Sequence, residues 1–519
     1  LNERNSPERE RAENIAARQS QSVGKELKLL SRHSSVYGLS NILNRVVSFV
    51  LLPLYTHYLA PADYGVADLL YFTTAFIGIV LEMGINTALS RFYYDSDDQA
   101  ERNKVVTTAF YGFGIGSTVI IAILIAFAKP ITVLIFNGPE YTGLLVLALL
   151  GLALDMYIKV VFTYLRVRLR SFTLMTVSVI RLVMQLSLNI GFIVYMEMGI
   201  KGILLSTLVS NAALFLFLMP YTLRETGLKF SKDKFKEMFY FGLPLIPSNF
   251  MAYIINVSDR YFVNYFSGLA LTGLYTLGYR FGILINEFVG APFAKVWVPR
   301  RYEMFKRGDS ERTFAKIFTY FAVLLYFIGL GISVVTKDVI KIMAEESYWN
   351  AYQVVPIITL SYILSNFQMH FNIGIMIEKK TKYIMYINIV TATINLILNY
   401  FMIKTYDMFG AAYATLISFA IKDVLLFWVS NKLVKIIIEW GRFIKASVLG
   451  IVLYFPINMI DTGHLYANVI LKSLSCLSYP LILYLIGFFE PDELKKGWDL
   501  VRPFIAKFIP KFRKKPPVP

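Results

Sequence analysis

Long apolar segments follow one another through almost the whole chain. They are read at 36–59, 66–90, 105–127, 142–164, 172–196, 201–220, 237–258, 268–294, 313–335, 351–377, 383–403, 409–430, 443–460 and 465–489. A bilayer core of about 30 Å takes roughly 20 residues at 1.5 Å per helical residue, so each segment is long enough to cross. The pattern predicts an all-α polytopic membrane protein with about 14 transmembrane helices. Composition agrees: 56% of the 519 residues are hydrophobic and the mean hydropathy is +0.54, more apolar than a soluble chain of this size.

The formal net charge is +17, and its placement matters more than its size. One set of alternate connections holds Arg91/Arg102/Lys104, Arg166/Arg168/Arg170, Lys229 to Lys236, Lys295 to Lys316, Lys379/Lys380/Lys382 and both chain ends. That set carries about 40 Lys and Arg against about 6 in the other, and the positive-inside rule makes the rich set cytoplasmic. Both termini are therefore expected in the cytoplasm, in the cell (inner or plasma) membrane. The excess charge is then a topology signal and an attraction to anionic lipid headgroups, and no nucleic-acid partner is expected. Cys476 is the only cysteine, so no disulfide forms within one chain. The first 34 residues are polar and lack an apolar h-region, so no cleavable signal peptide is expected. The tail from Lys495 to Lys515 interleaves cations with Trp498, Phe504, Phe508 and Phe512, which suits a membrane interface and an ordinary basic tail alike.

A few apolar segments carry a lone cation: Arg45, Lys159, Arg181, Arg280, Lys422 and Lys472. A Lys or Arg at the bilayer centre costs about 2.5–3.5 kcal/mol on insertion scales. A chain tolerates that where the charge faces a wet cavity, a partner or a substrate. Cations inside a helical bundle point to an anionic cargo.

The segments also repeat with a period of about 208 residues. Tyr37-Gly38-Leu39 matches Phe241-Gly242-Leu243, Asp63-Tyr64-Gly65 matches Leu271-Thr272-Gly273, and Thr207-Leu208-Val209-Ser210 matches Thr415-Leu416-Ile417-Ser418. Ser178, Arg181, Gln185 and Asn189 step by three, four and four, which puts them on one helix face. Asn388, Thr391, Asn395 and Asn399 take the same steps, each 210 residues later. Six spans per half is an even number, so the halves enter the membrane in one orientation and are related by an axis along its normal.

The domain reading is a cytoplasmic segment 1–34, an N-lobe 35–220, a cytoplasmic linker 221–236, a C-lobe 237–430, two further spans in 431–490 and a basic tail 491–519. Two pseudo-symmetric six-helix lobes are the architecture of an alternating-access transporter. Helix breakers stand at the start of each lobe: Pro53 in one, Gly242, Pro244 and Pro247 in the other. Each Pro removes a backbone hydrogen bond, giving a turn that bends or a fixed kink.

Candidate site residues follow from charge and face. Arg45 shares a face with Asn41, Asn44 and Ser48, and Asn249, Tyr253, Asn256 and Arg260 form a stripe in the seventh span. Arg280 lies in the eighth. A guanidinium holds a phosphate bidentately and stays charged at all relevant pH, so Arg45 and Arg280 lead the substrate-binding set, with Asn41, Asn249, Tyr253, Arg260, Arg181 and Lys159 behind them. Structural pairing is the alternative: Arg280 with Glu287, Arg45 with Glu82, and Asp155 with Lys159 one turn away. Lys422-Asp423 reads in the same way. Glu82, Glu287 and His370 are candidate coupling sites for Na⁺ or H⁺, since a buried carboxylate titrates near neutral pH. Arg91, Arg300 and Arg301 end the second and eighth spans at the cytoplasmic mouth, either to attract an acidic headgroup or to anchor the helices.

Enzyme signals are poor. The chain has four His and no HExxH, P-loop or CxxC, so no metal site and no cofactor is expected. Asp95-Ser96-Asp97 has the form of a nucleotide-sugar DxD, but it lies on a short loop with no catalytic domain behind it.

The span count, the repeat and several strings together resemble the polysaccharide transporter branch of the multidrug/oligosaccharidyl-lipid/polysaccharide exporter superfamily, the Wzx-type flippases. The strings are Tyr37-Gly38-Leu39-Ser40-Asn41, then Tyr55-Thr56-His57-Tyr58-Leu59-Ala60-Pro61-Ala62-Asp63-Tyr64-Gly65, and Ser258-Asp259-Arg260-Tyr261-Phe262 leading into Gly273-Leu274-Tyr275-Thr276-Leu277-Gly278-Tyr279-Arg280. The likeness covers residues 35–430. It implies two six-helix lobes, a cationic cavity, and a polyprenyl-pyrophosphate-linked oligosaccharide moved from the inner to the outer leaflet. It also implies membrane lipids as partners, with a glycan polymerase or assembly proteins alongside. Other readings compete: a lipid II flippase, a drug/cation antiporter, a membrane glycan polymerase or glycosyltransferase, or a noncatalytic membrane scaffold, which would not need a charged interior. Buried cations disfavour a cationic drug, and short outer connections disfavour a polymerase.

Overall fold

The computed structural model describes residues 51–82, 84–243, 246–306, 311–493 and 495, without the side chains of 247–249, 252 and 306. Among these residues eleven helical runs are long and apolar enough to cross a membrane. Two of the eleven, Tyr253–Phe305 and Lys382–Leu433, span 53 and 52 residues. At 1.5 Å per residue each is more than twice a bilayer core of about 30 Å. Both are broken: Gly268 (φ 85°) interrupts the first and Asp407 (φ 48°) the second. The eleven runs and the fourteen segments read from sequence differ mainly through these two merged pairs. The first predicted segment lies largely outside the described residues.

The helices are α1 Pro61–Glu82, α2 Ile85–Tyr93, α3 Gln99–Ala126, α4 Ala128–Phe136, α5 Thr142–Val167, α6 Ser171–Asn189, α7 Gly199–Thr226, α8 Lys232–Gly242, α9 Ile246–Gly282, α10 Ala291–Lys306, α11 Glu311–Met343, α12 Val355–Phe371, α13 Ile373–Ile377, α14 Lys382–Leu433, α15 Trp440–Asn458, α16 Leu465–Ser475 and α17 Ser478–Leu485. Local chemistry sets several of these boundaries. Asp98 caps α3 by accepting from the Ala100 N–H at 3.1 Å, and Ser231 caps α8 through the Lys234 N–H. Of the predicted breakers, Gly242 is the last residue of α8, Pro247 stands in the first turn of α9, and Pro53 lies within helical residues 51–58; Pro244 falls outside the described residues. The segment 221–236, read as a linker, holds the end of α7 and the start of α8. π-helical turns occupy Ile190–Tyr195 and Asn286–Gly290.

Contacts divide the chain into two compact units, Leu1–Gly273 and Leu274–Pro519. In the first, α5 is central and packs against α1, α2, α3 and α7. Leu89, Val106, Phe110, Tyr164 and Leu165 fill the space between them. In the second, α11 packs against α12, α15 and α16, and α12 against α14. Outer faces stay apolar: Leu134 is 83% exposed and Leu216 71%. Such faces are insoluble in water and at home in lipid, where helices associate by close packing and interhelical hydrogen bonds instead of by the hydrophobic effect.

Candidate functional site

The polar stripe of α6 faces its neighbours in the first unit. Asn189 donates to the Tyr55 hydroxyl at 3.0 Å and Gln185 to Thr207 at 3.2 Å. Arg181 donates to Asp155 Oδ1 and to Asn211 Oδ1, both at 2.8 Å. Asn211 in turn donates to the Gly151 carbonyl. One turn along α5 from Asp155, the Lys159 ammonium lies 3.3 Å from Glu82 Oε2 and 3.8 Å from Asp155 Oδ2. Asn86 donates to Glu82 and accepts from Thr163. Five helices (α1, α2, α5, α6 and α7) therefore converge on a network of two cations and two carboxylates.

The network is neutral overall, and it is not sealed. Its four charged side chains keep between 22% and 34% of their exposure. A charge pair in that state gains from attraction without full desolvation, and an incoming anion can reach its cations. Within the second unit the matching stripe has no such charge. Asn395 donates to Ser418 at 3.2 Å and Asn399 to Asn395 at 3.1 Å, and Thr391 stands where the first unit has Arg181.

The other predicted residues lie elsewhere. Arg45 and Asn41 fall outside the described residues, as does the Asn249 side chain. Tyr253 donates to the Phe72 carbonyl at 2.6 Å. Arg260 is buried, donating to Asp259 Oδ1 at 2.7 Å and the Asn256 carbonyl at 2.8 Å, and it stands 4.7 Å over the Phe72 ring. Arg280 is exposed near the end of α9, and Glu287 is half-buried in the π turn at Asn286–Gly290. His370 is buried among aromatic rings of the second unit. Arg91 is exposed with its guanidinium 5.0 Å over Phe241, and Arg300 is exposed and pairs with Glu303. Arg301 is buried and ties α10 to the end of α12 through the Met369 carbonyl and Asn372.

Structure thus brings Glu82, Lys159 and Arg181 together with Asp155, the partner read for Lys159, and adds Asn86, Asn211 and Thr163. Asn211 had a visible signal, an amide inside an apolar run, one turn beyond Thr207. Among the described residues no group of three or more His, Cys, Asp or Glu could hold a metal ion.

The sequence profile of a family described as "Polysaccharide biosynthesis protein" matches residues 55–353. An uncharacterized membrane protein of Methanocaldococcus jannaschii is 23% identical over 266 residues, covering 50% of this chain and 52% of that one. A putative O-antigen transporter of Shigella flexneri is 22% identical over 219 residues, covering 41% of this chain and 51% of that one. The chain spans about half the length of these curated relatives. Among solved structures, the lipid II flippase MurJ in an inward closed conformation superimposes with a TM-score of 0.70 at 15% identity, over 88% of this chain and 99% of that one. At that identity the likeness is one of fold.

Proposed function

The chain belongs to the polysaccharide biosynthesis protein family, and on that premise we propose that it is a flippase. Its cargo in this reading is a polyprenyl-pyrophosphate-linked oligosaccharide, carried from the inner to the outer leaflet by alternating access. Membership agrees with the resemblance carried by the strings at 37–65 and 258–280. The observation that bears most weight is the half-open network of Glu82, Asp155, Lys159 and Arg181 in the first unit. Pyrophosphate oxygens are anionic acceptors for Arg181 and Lys159, as are the carboxylate oxygens that hold them. Cargo and carboxylates then compete for two cations. A carboxylate that loses its cation in a poorly solvated setting takes up H⁺ or Na⁺ more readily, which couples headgroup binding to an ion gradient. Arg45 and Arg280 remain proposed headgroup ligands in this scheme. The reading assigns no catalytic step and places the protein in the inner membrane with both termini in the cytoplasm. A glycan polymerase is its natural downstream partner.

The test is translocation of a labelled polyprenyl-pyrophosphate oligosaccharide in proteoliposomes, with and without Na⁺ and pH gradients. Gradient-dependent transport that fails in Arg181→Gln is the expected result. Folded protein that moves no such glycan but does move lipid II, or an organic cation, overturns the cargo assignment in favour of another branch of the superfamily.

A further inference from the structure

Among the described residues of the second unit two aspartates are buried, and their surroundings are opposite. Asp338 of α11 is 2% exposed and accepts from the Lys472 ammonium at 2.6 Å and from Asn468 at 3.1 Å. Asp423 of α14 is 6% exposed, and neither of its oxygens has a hydrogen-bond partner among the described residues. It stands ten residues before α14 ends at Leu433. At 1.5 Å per residue that is about 15 Å, near the middle of a bilayer core of about 30 Å. Phe419, one turn before it, packs on Tyr362 of α12, and Phe427, one turn after it, packs on Phe371. Residues four apart share a helix face, so the carboxyl lies on the face that α14 turns to α12, between two aromatic contacts.

Few groups meet its charge. Lys422 precedes it in the chain, is half-buried, and makes no hydrogen bond to it. The Tyr326 hydroxyl of α11 lies within its field. On α12, Tyr362 is bonded to Tyr279 and His370 is enclosed by aromatic rings. Helix α13, which also packs on α14, has no titratable side chain. An ionised carboxylate taken out of water costs several kcal/mol even after relaxation, unless partners offset it. Asp338 has such partners. Asp423 has none, and a group so placed neutralises instead of staying charged. A metal cation would need several oxygens around it, and no side chain that could supply them bonds Asp423. A proton needs neither a cavity nor further ligands.

We propose that Asp423 is a proton-binding site of the second unit, which in this conformation holds its proton as a neutral carboxylic acid. Release returns one H⁺ to water and leaves a carboxylate beside Lys422. An ion pair between chain neighbours has a precedent in this fold at Asp259 and Arg260, 2.7 Å apart. The protonation stands by itself; a role for Asp423 in coupling transport to a pH gradient rests on the flippase reading.

Infrared absorption reads the acid directly, because the C=O stretch of a protonated carboxyl stands apart from the amide and carboxylate bands. The full chain is measured at pH 7 in a detergent that has no carbonyl group. The expected result is a carboxylic acid band that Asp423→Asn removes, Asp423→Glu shifts, and Asp461→Asn, a change at an exposed carboxylate, leaves in place. Asn matches the neutral acid in shape and charge, so circular dichroism should show Asp423→Asn melting as the wild type does. No acid band in the wild type, or a band that survives Asp423→Asn, overturns the proposal. In proteoliposomes a pH gradient should accelerate glycan transport by the wild type and leave Asp423→Asn unaffected. An equal response in both proteins overturns the coupling role. A wild type that moves no glycan defeats the flippase reading, and the infrared band still decides the site.

Discussion

Gly65 and Gly273 meet backbone to backbone, and they do so reciprocally. A Cβ added to Gly65 would lie 2.3 Å from the Leu269 carbonyl oxygen and 3.1 Å from the Gly273 nitrogen. A Cβ added to Gly273 would lie 2.0 Å from the Pro61 carbonyl oxygen and 3.1 Å from the Gly65 nitrogen. These two glycines are also partners in the sequence repeat, 208 residues apart. Equivalent residues that touch each other in equivalent ways define a local two-fold, the self-complementary arrangement of an isologous contact. Small residues are what allow two helices in a membrane to approach so closely. Substitution to Ala forces a methyl against a backbone oxygen, which cannot swing aside as a flexible side chain would. We expect Gly65→Ala and Gly273→Ala each to destabilise the protein by about 1–3 kcal/mol, the usual cost of overpacking. Gly116, with nothing within 4 Å of its would-be Cβ, serves as the neutral control. Thermal melting in detergent, read on all three variants, checks the difference.

The charge network of the first unit predicts a pattern of rescue. Lys159→Gln leaves Glu82 without its cation, while Lys159→Gln with Glu82→Gln removes both and restores neutrality. The double variant should therefore retain more transport and more stability than Lys159→Gln alone. The coupling energy in such a cycle is expected at about 0.5–3 kcal/mol, the range for residues sharing a network. Arg181→Lys should keep part of the activity and Arg181→Gln lose most of it, because Lys preserves the charge but, being shorter, does not put its nitrogen where the single Arg181 nitrogen donates to both Asp155 and Asn211. Initial rates in proteoliposomes distinguish these outcomes; additive effects of Lys159→Gln and Glu82→Gln would refute the linkage.

How much of this was legible in the sequence depends on range. The apolar periodicity needed only local information, so helices formed where apolar runs stood. The α6 stripe was equally local, since residues three and four apart share a helix face whatever surrounds them. Pairing was another matter. Asp155 and Lys159, the obvious i, i+4 couple, are 3.8 Å apart, the loosest contact in their network. The tighter bonds join Arg181 to Asp155 across 26 positions and Lys159 to Glu82 across 77. Arg260, read from a face of polar residues, bonds its sequence neighbour Asp259 over the Phe72 ring, a contact that its stripe did not indicate. A sequence shows which charges need a partner; the packing of helices decides which partner each one meets.

Lys472 is the extreme case of that rule. It is the most buried of the lone cations among the described residues, 1% exposed, and its ammonium donates to Asp338 Oδ2 at 2.6 Å across 134 positions. Asn468, one turn before it, donates to the other oxygen of Asp338 and to Asp461. The pair joins α16 to α11. Removing one partner strands a buried charge, so Asp338→Asn and Lys472→Met should each cost about 3–5 kcal/mol. Replacing both by apolar side chains, Asp338→Leu with Lys472→Met, leaves no stranded charge and should recover much of that loss. Melting temperatures of the four proteins test it, and a double variant no better than either single one would mean that the pair is not the fastener.

A second fastener holds the other end of α11, and it is sensitive to acid. Arg442 donates to Glu493 Oε2 at 2.8 Å, and Lys316 reaches Glu493 at 3.1 Å and Glu490 at 2.7 Å. These contacts join α11 and α15 to the segment that follows α17. Burial alone would raise the Glu493 carboxyl, but the Glu490 N–H, Tyr320, Arg442 and Lys316 outweigh it and hold the group down at about 2. A carboxyl held below its unfolded value of 4.5 contributes stability above that value. The contribution shrinks as pH falls below 4.5 and is gone once pH passes the folded value of about 2. The segment after Leu485 should therefore loosen between those limits in the wild type. In the double variant Glu490→Gln/Glu493→Gln it should be equally loose at pH 7 and at pH 3, because neither of its carboxylates that meet Lys316 and Arg442 remains to be protonated. Hydrogen exchange at 486–493 over that range reads the effect locally, where whole-protein melting would mix in every other carboxylate. A wild-type segment whose exchange protection is unchanged down to pH 2, or a double-variant segment that still loosens with acid, would place the acid response on another group.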